Sequence, residues 1–158
     1  IYACGDVTTP AKFTHTAAYQ AEICLDNITF DEKRINDLRV LPWTIFTGPE
    51  IGHVGLSEKE ARAQYGDALS IFKVNATIDR YKTDLKVGGF LKVMFDDQDR
   101  VVGAEAVGEQ AGEWIQQITL IMKHHIPIKS LAQTIYAYPT YTEIVKKVFS
   151  RYYRTKGY

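Results

Sequence analysis

The chain has 158 residues, 46% hydrophobic and 24% charged, which is enough for an ordinary globular domain with a real core. Nineteen Lys and Arg balance nineteen Asp and Glu, so no basic excess argues for binding to nucleic acid or to an anionic membrane surface. No apolar run approaches the ~20 residues needed to span a bilayer, and no secretory leader pattern opens the chain. A protein of the cytoplasm is the expectation. Cys4 and Cys24 fit no metal or redox spacing, which predicts two reduced, buried thiols and no metal site.

Ile1-Tyr2-Ala3-Cys4-Gly5-Asp6-Val7 reads as a β-strand already in progress without an initiator methionine, so a preceding portion of the protein is expected. An apolar strand ending in Gly-Asp is where an open α/β sheet meets its ligand. There a short carboxylate accepts hydrogen bonds from ligand hydroxyls, and the glycine lets backbone come close. A plain turn is the competing reading. A helix is predicted from about Lys12 to Leu25, with small residues Ala17, Ala18 and Ala21 for close packing. Residues 27–40 turn polar and charged, which places a domain boundary between residues 38 and 39.

Trp43 to Thr47 reads as a strand stopped by Gly48-Pro49, and Glu50 to Leu56 as a second, glycine-containing strand. Glu50 and His53 on it are read as structural or solvent-exposed. Ser57 with Glu60 three residues on is a capping box, so a helix runs to about Tyr65, where Gly66 ends it. Period-two alternation then gives strands over Ser70–Ile78 and Phe90–Phe95, a turn at Asp96–Asp99, and a returning strand over Val101–Val107. The basic residues at 80, 82, 86 and 92 are read as a solvated rim.

Ala111, Trp114, Ile115, Ile118, Ile121 and Met122 follow the helical repeat. His124 and His125 at its end suit a helix C-terminus better than a metal site, since no third ligand has suitable spacing. Ile128 to Gln133 is a short helical turn. Thr140 followed by Glu143 reads as a second capping box, and Tyr141, Ile144, Val145, Val148, Phe149 and Tyr152 form the apolar stripe of a last helix.

Tyr136-Ala137-Tyr138-Pro139-Thr140-Tyr141-Thr142-Glu143 resembles the C-terminal active-site signature of the flavin-dependent pyridine nucleotide-disulfide oxidoreductases, with Tyr138 where most of that family has histidine. Tyr2 to Val7, Phe46 to Glu60 and Gly89 to Glu113 are further anchors of the resemblance, in the expected order. Mercuric reductases are similar in carrying tyrosine at that place, but the last eight residues here hold no thiol, and soft divalent mercury needs thiolate ligands. The resemblance implies an α+β fold: an antiparallel sheet with helices packed against it, of the dimerisation-domain type, over 39–158. Residues 1–38 would be the end of an FAD-binding domain, with FAD and NADPH or NADH as cofactors of the whole protein. It implies cofactor contacts at Gly5, Asp6, His15 and Ala17, with Thr14 nearby; a helix-surface histidine is the alternative for His15. It also implies a homodimer in which Tyr138 and Glu143 act on the partner's active site.

The residues themselves leave the roles of that pair open. For Tyr138 the choice is between an interface ring and a phenol that donates a hydrogen bond or proton. An ordinary phenol, with a pKa of about 10, is a poor base near neutrality. For Glu143, capping of the helix start is favoured over a functional hydrogen bond. Neither a Gly-x-Gly-x-x-Gly turn nor a Cys-x-x-x-x-Cys pair occurs in the chain, so this polypeptide is not expected to catalyse alone. A free-standing assembly module without flavin and the interface domain of an NADH or peroxide oxidase are the other readings.

Overall fold

The computed structural model describes residues 1–31, 33–86 and 88–157, in two compact units, Ile1–Leu38 and Arg39–Tyr158. In the first unit the predicted opening strand is absent: Ile1–Val7 is irregular and turn-forming, because no described strand lies alongside to take its hydrogen bonds. Helix α1 spans Thr14–Thr29 and buries Thr16, Gln20 and Ile23. The thiols are free, but the expected burial fails: Cys4 is exposed and Cys24 half-buried. Asn27 closes the loop after α1, its side chain bonding both the N–H and the C=O of Arg34, while the Arg34 guanidinium pairs with Asp26.

The second unit is built on five antiparallel strands: β1 Pro42–Ile45, β2 Glu50–Gly55, β3 Ser70–Asn75, β4 Phe90–Phe95 and β5 Val101–Gly108. They lie side by side in the order β1-β2-β5-β4-β3. Between β2 and β3 comes α2, Glu58–Tyr65, where the Ser57–Glu60 capping box forms as predicted and Gly66 provides the C-cap. The segment predicted to continue β3 to Ile78 instead leaves the sheet after Asn75 and forms a short helix, α3, Asp79–Thr83. Its anchor is Tyr81, buried, whose hydroxyl donates to the Glu109 carbonyl at 2.9 Å.

One face of the sheet is apolar. The registers place Gly52, Ala106, Leu91 and Val74 in one row across the strands, and Val54, Ala104, Val93 and Phe72 in the next. Against it pack α4, Ala111–Lys123, through Trp114, Ile115 and Ile118, and α6, Glu143–Thr155, through Ile144, Val145, Val148, Phe149 and Tyr152. Between them lies α5, Ile128–Gln133. Gly52 is what lets α4 sit so close: a Cβ there would lie 2.6 Å from an Ile115 side-chain carbon. Glu50 is structural, its carboxylate accepting the Gly112 N–H at 3.1 Å. Phe95 joins sheet to α6, stacked on Tyr152 at 3.8 Å and edge-on to Phe149 at 6.1 Å.

The other face carries the row His53, Glu105, Lys92 and Lys73. Lys92 is not part of a solvated rim. It is largely buried and reaches Glu58 at 2.7 Å and Glu105 at 2.5 Å, tying α2 to the sheet. The other three basic residues at the predicted rim are also paired, Arg80 with Asp84, Lys82 with Asp79 and Lys86 with Glu109. His53 stacks on Trp43 with ring centres 4.9 Å apart, and its Nε2 lies 2.9 Å from the Gly55 carbonyl. No described helix is long and apolar enough to cross a membrane.

Candidate functional site

The segment 134–142 runs between α5 and α6, and the peptide before Pro139 is cis. It is fastened at two points, to the first residue of α3 and to the residue just after its end. Tyr138 donates its hydroxyl proton to Asp79 Oδ2 at 2.7 Å, and Tyr141 donates to Asp84 Oδ2. Tyr141 also packs edge-on against Tyr81, ring centres 5.5 Å apart, and Arg80 lies over its outer face. Despite this, Tyr138 is 68% exposed. Its ring is held in place and turned outward.

The electrostatics follow from those bonds. The Asp79 hydrogen bond raises the Tyr138 phenol above its ordinary value, with the negative charges of Asp79 and Glu143 and a little burial adding. Asp79 itself is lowered, first by the Lys82 hydrogen bond and then by Tyr138. Tyr138 therefore keeps its proton throughout the neutral range. Less of it is present as phenolate near neutrality than for an unperturbed phenol, so it is less available as a general base.

Glu143 does not cap α6 in the predicted way. Thr142 is the N-cap and makes no side-chain capping bond. The Glu143 N–H donates to the Thr140 backbone carbonyl at 3.3 Å and not to the Thr140 hydroxyl, whose own proton goes to the Ala137 carbonyl at 2.9 Å, so the box does not form. Glu143 is the first residue of the helix, where a carboxylate complements the macrodipole. One oxygen lies 3.6 Å from Lys147 Nζ, and the other is buried without a partner. Tyr136, Tyr138, Glu143, Lys146, Lys147, Arg151 and Arg154 share a shallow cleft of about 250 Å³. A larger cleft of about 470 Å³ opens by the last turn of α6, where Asp99 holds Tyr152 and Lys156, each at 2.7 Å, and Arg100 grips Asp96.

In the first unit Gly5 has φ +79°, and a Cβ added there would lie 3.6 Å from that of Ala17. Gly5 and Ala17 are thus brought together, and the Gly5 N–H donates to Gln20 Oε1 at 2.7 Å. Asp6 is exposed, and no hydrogen bond or ion pair joins it to another described residue. That leaves its carboxylate open to a ligand hydroxyl, as a ribityl chain would need. His15 is exposed and stacked on Phe13 at 5.2 Å. Gln20 Nε2 and Thr16 Oγ1, both buried, have no hydrogen-bond partner. The sequence reading did not single out either residue; two polar side chains on the buried face of α1 were the available signal. Among the described residues no cluster of His, Cys, Asp and Glu could hold a metal ion.

Residues 41–149 match the family described as the pyridine nucleotide-disulphide oxidoreductase dimerisation domain. The chain is 34% identical to a mercuric reductase from Staphylococcus aureus over 92% of its own length and 27% of that protein's. It is 31% identical to a dihydrolipoyl dehydrogenase from Halobacterium salinarum, over 90% of this chain and 30% of the relative. Among solved structures it resembles LpdA from Mycobacterium tuberculosis, with a TM-score of 0.87 and 28% identity over 96% of this chain and 33% of that one. It also resembles the HOCl-induced flavoprotein disulfide reductase RclA from Escherichia coli, with a TM-score of 0.85 and 27% identity over 95% and 35%. The chain thus spans about a third or less of the proteins it matches.

Proposed function

The chain belongs to the pyridine nucleotide-disulphide oxidoreductase dimerisation family, and from that membership we propose that it is the dimer-forming end of a mercuric-reductase-like flavoprotein that takes electrons from NADPH or NADH. Residues 39–158 form the isologous contact with a second copy, and residues 1–38 complete the FAD domain. The observation that carries this reading is the placement of Tyr138, which is fastened by its hydroxyl to α3 yet turned out of its own unit with 68% of its surface exposed. A ring held so firmly and left uncovered suits a site completed by another chain.

The chemistry that FAD supplies when bound is the passage of two electrons from the nicotinamide donor to an acceptor such as a disulfide. Gly5, Asp6, His15 and Ala17 are the residues of this chain that would hold FAD, with the exposed Asp6 carboxylate as the acceptor for its ribityl hydroxyls. In trans, Tyr138 supplies a polar contact near the partner's reacting sulfurs. It does not shuttle protons at neutral pH, because its phenol is held protonated. Glu143 supports the start of α6.

The test is an anaerobic titration of the complete flavoprotein with NADPH and NADH, following the flavin spectrum, together with its mass in solution by sedimentation. A dimer that shows a long-wavelength thiolate-to-flavin band at two electrons per subunit is the expected result. A flavin-loaded monomer refutes the trans site, and a dimer whose flavin merely bleaches refutes the disulfide chemistry.

A further inference from the structure

The signature that Tyr138 belongs to has its own carboxylate, Glu143, five residues on, yet the tyrosine is bonded to a different one. We propose that Asp79, on α3, is the positioning residue for Tyr138, in place of Glu143, and that the bond makes Tyr138 a hydrogen-bond acceptor toward whatever enters the cleft. This deepens the proposed function and rests on it for the identity of the cleft.

Three observations carry the assignment. First, Tyr138 has one hydroxyl proton, and it goes to Asp79 Oδ2 at 2.7 Å. What the exposed side of the oxygen then presents is lone pairs, polarised by the carboxylate behind. The ligand group that fits is a neutral donor, such as the S–H of a thiol. Second, Asp79 is supported on its other oxygen by Lys82 at 2.8 Å. The short helix that bears both is fixed by buried Tyr81 and by the parallel bond from Tyr141 to Asp84. Two tyrosine–carboxylate bonds between the same two segments define their relative position. Third, Glu143 takes no part: one of its oxygens is buried without a partner, and its other neighbour is Lys147.

The charged groups that act on this pair come from two elements. Lys82 lies on α3; Glu143 and Lys147 lie on α6; and Lys146, Arg151 and Arg154 of α6 line the same cleft. Asp79 is the first cause of the upward displacement of the Tyr138 phenol, and Glu143 is the last.

The experiment uses the complete flavin-loaded protein with 3-fluorotyrosine in place of tyrosine. The Tyr138 fluorine signal is identified by its loss in Tyr138→Phe and followed through an alkaline titration. Asp79→Asn is expected to bring the midpoint down toward that of free 3-fluorotyrosine, Asp79→Glu to restore most of the displacement, and Glu143→Gln to move it less than Asp79→Asn does. A larger movement with Glu143→Gln, or none with Asp79→Asn, overturns the proposal. The alkaline limb of disulfide reduction, measured on the same proteins, separates the two levels. If the fluorine midpoint moves and the rate profile does not, Asp79 stands as the partner of Tyr138 and the trans-acting role of Tyr138 falls.

Discussion

Replacing Phe149 with alanine tests whether α6 is held to the sheet by the packing described above, and hence whether the sheet sets the position of the Tyr138 segment. Phe149 is fully buried, meets Phe95 edge-on, and lies midway along the helix among Ile144, Val145, Val148 and Tyr152. Removing a buried phenyl group costs about 3–5 kcal/mol, from lost transfer free energy and the cavity left behind. A domain is stable by only about 5–15 kcal/mol, so the variant loses roughly a fifth or more of its margin. With a sensitivity of roughly 3–5 °C per kcal/mol for a unit of this size, the melting temperature falls by about 9–25 °C. Phe149→Leu keeps most of the volume and is expected to cost less than about 1.5 kcal/mol, plus about 0.5–1.5 kcal/mol for the lost aromatic pair. Urea unfolding followed by tryptophan fluorescence is the assay, because Trp43 and Trp114 both lie in the second unit. The loss should show as a lower midpoint at unchanged slope. If alanine costs less than 1 kcal/mol on that assay, or no more than leucine, the packing argument for α6 is wrong.

Two further outcomes are expected. Ser57→Ala removes the hydroxyl that accepts the Glu60 N–H and donates to the Glu60 carboxylate at the start of α2, leaving the bond from the Ser57 N–H, and should cost about 1 kcal/mol, read as a drop in urea midpoint and faster amide exchange in that helix; an unchanged exchange rate would contradict the capping role. For Asp99, burial pushes the carboxyl up, but hydrogen bonds from Lys156 and Tyr152 outweigh it and leave the folded value below the ordinary one. A carboxyl depressed in this way adds stability that is present above its unfolded value, near 4, and is lost as pH falls through the folded value. Asp99→Asn should therefore be less stable than the parent at pH 7, with the gap closing below about pH 4; a gap of constant size down to pH 3 would show that the ion pair adds nothing.

Much of the second unit was legible because its signals are local. The alternation in β4 and β5, the helical stripes of α4 and α6, and the Ser57–Glu60 box each specify structure within a few residues. What was missed depends on partners far away in sequence. Ile1–Val7 has the composition of a strand, but strand structure needs a neighbour to bond with, and none is present among the described residues. Residues 76–78 alternate correctly, yet the chain leaves the sheet so that Tyr81 can bury its ring and reach Glu109. Lys92 reads as surface because it is charged, and it is drawn in by two carboxylates that only the register brings alongside. Thr140 and Glu143 have the spacing of a capping box, but the Glu143 N–H bonds the Thr140 carbonyl in place of its hydroxyl. The link from Tyr138 to Asp79 crosses 59 residues, and no spacing rule reaches that far.

The outer strands of the sheet bear on how this domain meets another chain. β1 has only four residues and begins with Pro42, whose nitrogen carries no proton, while β3 at the opposite margin exposes Lys73. Short, proline-bearing or lysine-bearing margins resist the addition of a further strand. In the dimer proposed above, fusion of two sheets into one continuous ribbon is thus discouraged, and a contact made through side chains is favoured. Such a contact is selective in a way that backbone pairing is not, since it depends on which side chains are present and not merely on an open row of amides. It also leaves the segment bearing Tyr138 free to be part of what is recognised.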